Sequence, residues 1–182
     1  MLNKNPEMLF QTFFVSQEVC NCPLVVEMIK LEKKITEKIT DKDEQWCISC
    51  NYGKRMLITT DDKDKNNIKQ EDIVEVVDYD PFKNIILVIG RKIPCKETPI
   101  HWMIQKARPD INFIVEIFDK KIYEKNCTRC VMTKKETKDN TIDRVKDILK
   151  LLQKQKTVLI KNQGVIITGF NRTEIEKILE LL

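Results

Sequence analysis

Two pairs of cysteines stand at ligand spacing, Cys47-Ile-Ser-Cys50 and Cys127-Thr-Arg-Cys130. Thiolates in a CxxC pair bind one zinc ion or one iron–sulfur cluster, so Cys47, Cys50, Cys127 and Cys130 together are a candidate four-thiolate site. The gap from Cys50 to Cys127 is much wider than in a compact zinc ribbon, and the fold must bring the pairs together. Redox or disulfide use, and unlinked buried thiols, are the competing readings. The chain has seven cysteines, an odd number that cannot all pair internally. Cys20 and Cys22 are too close for an easy mutual disulfide, and Cys95 at a helix start is placed for activation as a thiolate. Glu97 precedes the single histidine, His101, by one helical turn on a shared face. As chemistry the pair is a carboxyl and an imidazole on one helix face. As structure Glu97 is a carboxylate stabilised by a helix N-terminus.

The elements that must position these residues are read from periodicity. Leu24, Met28, Leu31, Ile35 and Ile39 alternate spacings of four and three, which predicts an amphipathic helix, and Pro23 suits its first turn. Trp46 to Ser49 and Arg55 to Thr59 are expected as short strands turned around Asn51-Tyr-Gly53. Thr60 to Gln70 is expected as a solvated loop. Ile73 to Val77 and Ile85 to Ile89, rich in β-branched residues, should pair as a hairpin. Thr98 to Ala107 carries Ile100, Met103, Ile104 and Ala107 on one helical face, and Asn112 to Phe118 follows as a strand. Cys127 to Thr133 is expected as a further strand, with a charged loop over Lys134 to Asn140. Ile142, Val145, Ile148, Leu149 and Leu152 mark another helix. Thr157 to Ile160 and Val165 to Thr168 form a closing hairpin, and a capping box of Thr173 with Glu176 opens the last helix. The apolar run within Pro6 to Val19 is expected as a short buried helix or a docking segment. Mixed elements with hairpins predict an α/β domain whose sheet is mainly antiparallel.

Composition narrows the class further. With 182 residues and 42% hydrophobic content, one domain can bury a sizeable core. Lys+Arg 32 against Asp+Glu 28 leaves +4, spread along the chain, and no aromatic residues interleave with the lysine runs. A nucleic-acid partner is not expected. Apolar runs are far shorter than the roughly 20 residues that span a bilayer, and no secretory signal is visible, so no membrane partner and a cytoplasmic location are expected. High Lys, Glu and Ile with few Gly is a thermophile-like composition, a setting in which intracellular disulfides occur.

The order of several local motifs resembles the class II aldolase/adducin family, from about Trp46 to Leu182. Arg55-Met-Leu-Ile-Thr59 is similar to the family's strand ending in Thr, and Glu71-Asp-Ile-Val74 with Val77-Asp78 to its "edlv.vd" segment. Pro94-Cys-Lys-Glu97 with His101 is similar to "PSSE...H". Arg108-Pro-Asp-Ile-Asn112 is similar to "RPDVN", and Leu159-Ile-Lys-Asn-Gln-Gly164 through Gly169 to "LL.NHG...G". The resemblance implies a three-layer α/β/α fold with a central mainly antiparallel sheet. It spans residues 23–182, behind an N-terminal extension of residues 1–22, and a homo-oligomer is expected.

In that family three histidines hold a divalent zinc-like cation with the "PSSE" glutamate, and the ion polarises a carbonyl of a small phosphorylated sugar. The resemblance assigns the histidine positions to Glu116, Phe118 and Gln163, and the glutamate to Glu97. Phe118 has no donor, and Gln163 offers only a neutral oxygen. Glu97, Glu116 and Gln163 then form at most an oxygen-ligand site for Mg, Mn or Zn. The family's phosphate-binding positions fall at Ser49 and Lys96, which still carry donors, although Trp46 stands where the family has a small glycine. The expectation is a divergent member without aldolase activity, acting in binding or regulation. Its alternatives are a metal-dependent lyase or epimerase using Glu97, and a protein that holds zinc or an iron–sulfur cluster on its cysteines.

Overall fold

The computed structural model describes residues 10–39, 44–65, 67–134 and 142–182. Eight strands form one sheet: β1 (Gln11–Ser16), β2 (Gln45–Tyr52), β3 (Arg55–Thr59), β4 (Ile73–Asp80), β5 (Ile85–Ile89), β6 (Phe113–Phe118), β7 (Thr157–Ile160) and β8 (Gly164–Gly169). Their order is β1-β5-β4-β3-β2-β6-β8-β7. Every pairing is antiparallel except β1 with β5. Among the described residues five α-helices cover the sheet: α1 (Pro23–Lys38), α2 (Thr98–Ala107), α3 (Lys120–Asn126), α4 (Ile142–Leu152) and α5 (Arg172–Leu181).

Alternation along the central strands divides the interior into two faces. Trp46, Ile48 and Cys50 of β2, Phe113, Val115 and Ile117 of β6, and Val165 and Ile167 of β8 point to one face. There they pack on Met28, Leu31 and Ile35 of α1, Ile122 of α3, and Ile175 and Leu179 of α5. Ile114 and Ile166 point to the other face, onto Ile100 and Ile104 of α2 and Val145, Ile148 and Leu152 of α4. Farther along, Cys47, Met56, Ile58, Val74, Val76, Cys95 and Trp102 close a second cluster. The result is the expected three-layer α/β/α arrangement, in which a hydrophobic sheet needs helices on both sides.

The hairpins and most helices follow the expected boundaries. Three local expectations are corrected. Residues 11–16 form an edge strand instead of a helix, because Thr-Phe-Phe-Val suits a pleated backbone; Phe13, Phe14 and Val15 stay exposed, and the start of that segment lies outside the described residues. Cys127 to Thr133 is not a strand. The carboxylate of Asp119 accepts from the backbone N–H groups of Lys121 (2.8 Å) and Ile122 (3.1 Å), starting α3, and only Met132 bridges to Leu159 afterwards. The last helix is capped by Asn171, which accepts from Glu174 N at 3.0 Å, in place of Thr173. The expected loop over Lys134 to Asn140 lies almost wholly outside the described residues. Among the described residues no helix is long and apolar enough to cross a membrane.

Candidate functional site

Glu116 leaves β6 toward the α2/α4 face, opposite Cys47 of β2 and Ile166 of β8 in the ladder. Glu97 precedes α2 directly, and a backbone bond from His101 N to Glu97 O sets the first turn. Between the two carboxylates lies an arginine from α4. Arg144 Nη2 donates to Glu116 Oε1 at 2.6 Å, and Nη1 stands 3.7 Å from Glu97 Oε2. His101 adds a contact of 3.5 Å from Nε2 to Glu116 Oε2. On its other side His101 Nδ1 shares a 2.8 Å hydrogen bond with Ser49 Oγ, which also accepts from Gln105 Nε2 at 3.4 Å. All of these residues are buried: His101 and Ser49 at 0%, Glu116 at 1%, Arg144 at 2% and Glu97 at 4% exposure.

Two acids and one arginine in a dry interior leave one negative charge too many. Burial, first, and the neighbouring Glu116 push the Glu97 carboxyl up to about 8, against the opposing pull of Arg144 and Lys96. The shift favours the neutral form of Glu97 beside the Arg144–Glu116 contact. Glu97 Oε2 finds no hydrogen-bond partner among the described residues. The stability consequence has a definite sign. Below the usual carboxylate range both folded and unfolded chains hold the proton. As pH rises from about 4.5 to about 8 only the unfolded chain releases it, so stability falls across that window and levels off above it. Glu97→Gln removes this dependence. The melting temperature of the variant should match that of the wild type near pH 4 and exceed it by several degrees at pH 8, measured by circular dichroism across the range. A constant difference at all pH values would place the proton elsewhere.

The remaining positions assigned by resemblance lie nearby. Phe118 projects from the same face of β6 as Glu116, half-buried, with Lys96 Nζ 5.6 Å from its ring centroid. The turn holding Gln163 is pressed against the end of β6. A Cβ on Gly164 would lie 1.9 Å from the Ile117 carbonyl oxygen, so only glycine fits there. Ser49 is corrected as a phosphate ligand, since it is fully buried and its hydroxyl is engaged by His101 and Gln105. Lys96 is exposed and shares no surface with it.

The four-cysteine site does not assemble. Cys47 is joined to Cys95 in a disulfide, and Cys50 points to the opposite face of β2 by alternation. Cys95 is thus a bonded half-cystine instead of an activated thiol. Cys50, held in the apolar core, has its thiol pushed up to about 12 by burial, the reverse of what a ligand or nucleophile needs. Among the described residues no group of three or more His, Cys, Asp or Glu side chains is arranged to hold a metal ion.

The family's divalent ion does not fit the donors present. It would need open positions on Glu97 and Glu116. Here a guanidinium already bonds one carboxylate and faces the other, while Phe118 contributes hydrocarbon.

Residues 34–115 match the model of the family described as Class II Aldolase and Adducin N-terminal domain. Among curated proteins no sequence matches the chain. Among solved structures, an L-fuculose 1-phosphate aldolase superposes with a TM-score of 0.72 at 22% identity, covering 89% of this chain and 82% of its own. The L-fuculose-1-phosphate aldolase from Thermus thermophilus gives 0.64 at 11% identity, over 85% of this chain and 88% of its own. The N-terminal class II aldolase domain of a conserved protein from Thermoplasma acidophilum gives 0.63 at 10% identity, over 88% and 90%. At such identities the superpositions establish the fold. The sequence match covers under half of the chain, residues 34–115, and lies within the region that superposes.

Proposed function

We propose that the chain is a divergent superfamily member without metal-dependent aldolase activity, acting in binding or regulation. One observation carries this reading: the guanidinium of Arg144 sits between Glu97 and Glu116, its Nη2 2.6 Å from Glu116 Oε1. Arginine supplies the positive charge that holds two carboxylates together, but it offers no vacant orbital and no exchangeable ligand position to polarise a carbonyl. The surrounding burial supports the same conclusion, because a substrate must reach its acid. We also propose a homo-oligomer, on the family resemblance, and a cytoplasmic location.

A second reading draws on Glu97. A carboxyl raised to about 8 is poised as a general acid or base at physiological pH, as a lyase or epimerase of a small phosphorylated sugar requires. Its burial and its ion contact with Arg144 weigh against it. The two readings separate in one experiment with L-fuculose 1-phosphate and related sugar phosphates. We expect no cleavage or epimerisation above background with added Zn, Mn or Mg, and no stoichiometric metal in the purified protein. Turnover that a chelator abolishes and Glu97→Gln removes would overturn the proposal.

A further inference from the structure

At the β7 edge of the sheet a cleft of about 600 Å³ opens, lined in part by Thr157 at the start of that strand. Its walls come from three places: the turn after α3 supplies Arg129 and Val131, the loop between α4 and β7 supplies Lys154, and the end of α5 supplies Lys177, Ile178 and Leu181. The volume lies within the range of small-molecule sites. The chemistry of the walls is divided. Val131 and Ile178 are half-buried, and Leu181 is left 80% exposed, a large apolar surface with nothing over it among the described residues. Arg129, Lys154 and Lys177 stand at the rim with exposed side chains and make no ion pair among the described residues. The cleft's one acid, Glu174, is already neutralised by Lys156.

Four cations, Arg129, Lys154, Lys156 and Lys177, against the one acid Glu174 leave an excess of positive charge over an apolar wall, and that defines what fits. We infer that this cleft is a binding site for a small organic anion with an apolar body and one carboxylate, sulfonate or phosphate head. The apolar body covers Ile178, Leu181 and Val131, and the head group sits among Arg129, Lys154 and Lys177. A neutral apolar molecule gains only the first contact, and inorganic phosphate only the second. The inference does not depend on the fate of the Glu97 site, none of whose residues line the cleft.

The probe for the test is 8-anilinonaphthalene-1-sulfonate, an aryl body with a single anionic head, compared with the uncharged N-phenyl-1-naphthylamine. Fluorescence titration of the full chain should give saturable one-site binding, with the sulfonate at least about ten-fold tighter than the amine. Lys154→Glu combined with Lys177→Glu should weaken the sulfonate by about ten-fold or more at an unchanged melting temperature, since both side chains are exposed. Leu181→Ser should weaken both probes. Equal affinity for the two probes, an unaltered sulfonate affinity in the double variant, or emission abolished instead by Phe13→Ser on β1 would overturn the assignment. So would light scattering in which the double variant dissociates an oligomer while probe binding is retained, because the face would then be an interface between copies of this chain.

Discussion

Replacing Arg144 with methionine should lower the free energy of unfolding by about 3–5 kcal/mol, the usual consequence of removing one partner from a buried ion pair. Urea denaturation at pH 7 reads it as a shifted midpoint with an unchanged slope. Methionine keeps much of the apolar volume of the arginine stem, so the loss reports charge more than packing. Without the guanidinium, the ion contact left to Glu116 among the described residues is the 3.5 Å one to His101, in an interior that exposes 1% of its surface. A second substitution makes the result specific. Arg144→Met with Glu116→Gln should recover more than half of the loss, since the orphaned charge is then gone and the two effects cannot add. Simple additivity, or a single-variant loss under about 1 kcal/mol, would mean that the pair is not what organises the site.

The fold was legible because each strand and helix has its own period. Met28, Leu31 and Ile35 repeat at helical spacing, and β4 and β5 are apolar, β-branched runs separated by turn residues. Those patterns are local, and burial in the core reinforces them. The errors fell where local signals compete. In β1 the aromatic residues are as apolar as a buried helix face would be, but the strand lies at the sheet edge, where Phe13 and Val15 need no partner. In α3 the helix signal is Asp119, whose capping carboxylate has Ile122, Tyr123 and Asn126 behind it, while the cysteines of the following turn carry a competing ligand-like spacing.

The candidate site was only half legible. Glu97 and Glu116 are found by resemblance, and the structure brings them to one guanidinium. Arg144 was missed because an arginine on an amphipathic helix usually faces water. Its position did carry a signal: Arg144, Ile148 and Leu152 recur every four residues, so the cation lies on the buried stripe of α4. An arginine on an apolar stripe demands a buried acid, and a buried acid demands a cation. Each residue explains the other, but they lie on different elements and meet only in the folded chain. The Cys47–Cys95 disulfide was hidden for a related reason. CxxC spacing suggests a local pair, whereas strand alternation sends Cys47 and Cys50 to opposite faces.

Removing the disulfide should cost about 4 kcal/mol, from the loop entropy that a crosslink between residues 48 apart takes from the unfolded chain. Cys47→Ala with Cys95→Ala supplies the measurement in urea, and reductant supplies its control. The wild type should lose a comparable amount when unfolded and refolded in dithiothreitol, while the double variant should be indifferent to it. Counting free thiols in the denatured, unreduced protein gives the sharpest negative: seven alkylated cysteines instead of five would remove the crosslink altogether. The expected effect reaches beyond stability because of where the bond sits. Cys47 faces Glu116 across the β2/β6 ladder, and Cys95 lies two residues before Glu97. The disulfide therefore joins the strand beside one carboxylate to the segment carrying the other, with Arg144 between the two acids. Reduction should raise amide hydrogen exchange first at Thr98 and Ile100, whose N–H groups bond to Cys95 O and Glu97 O, before the distant strands β7 and β8 respond.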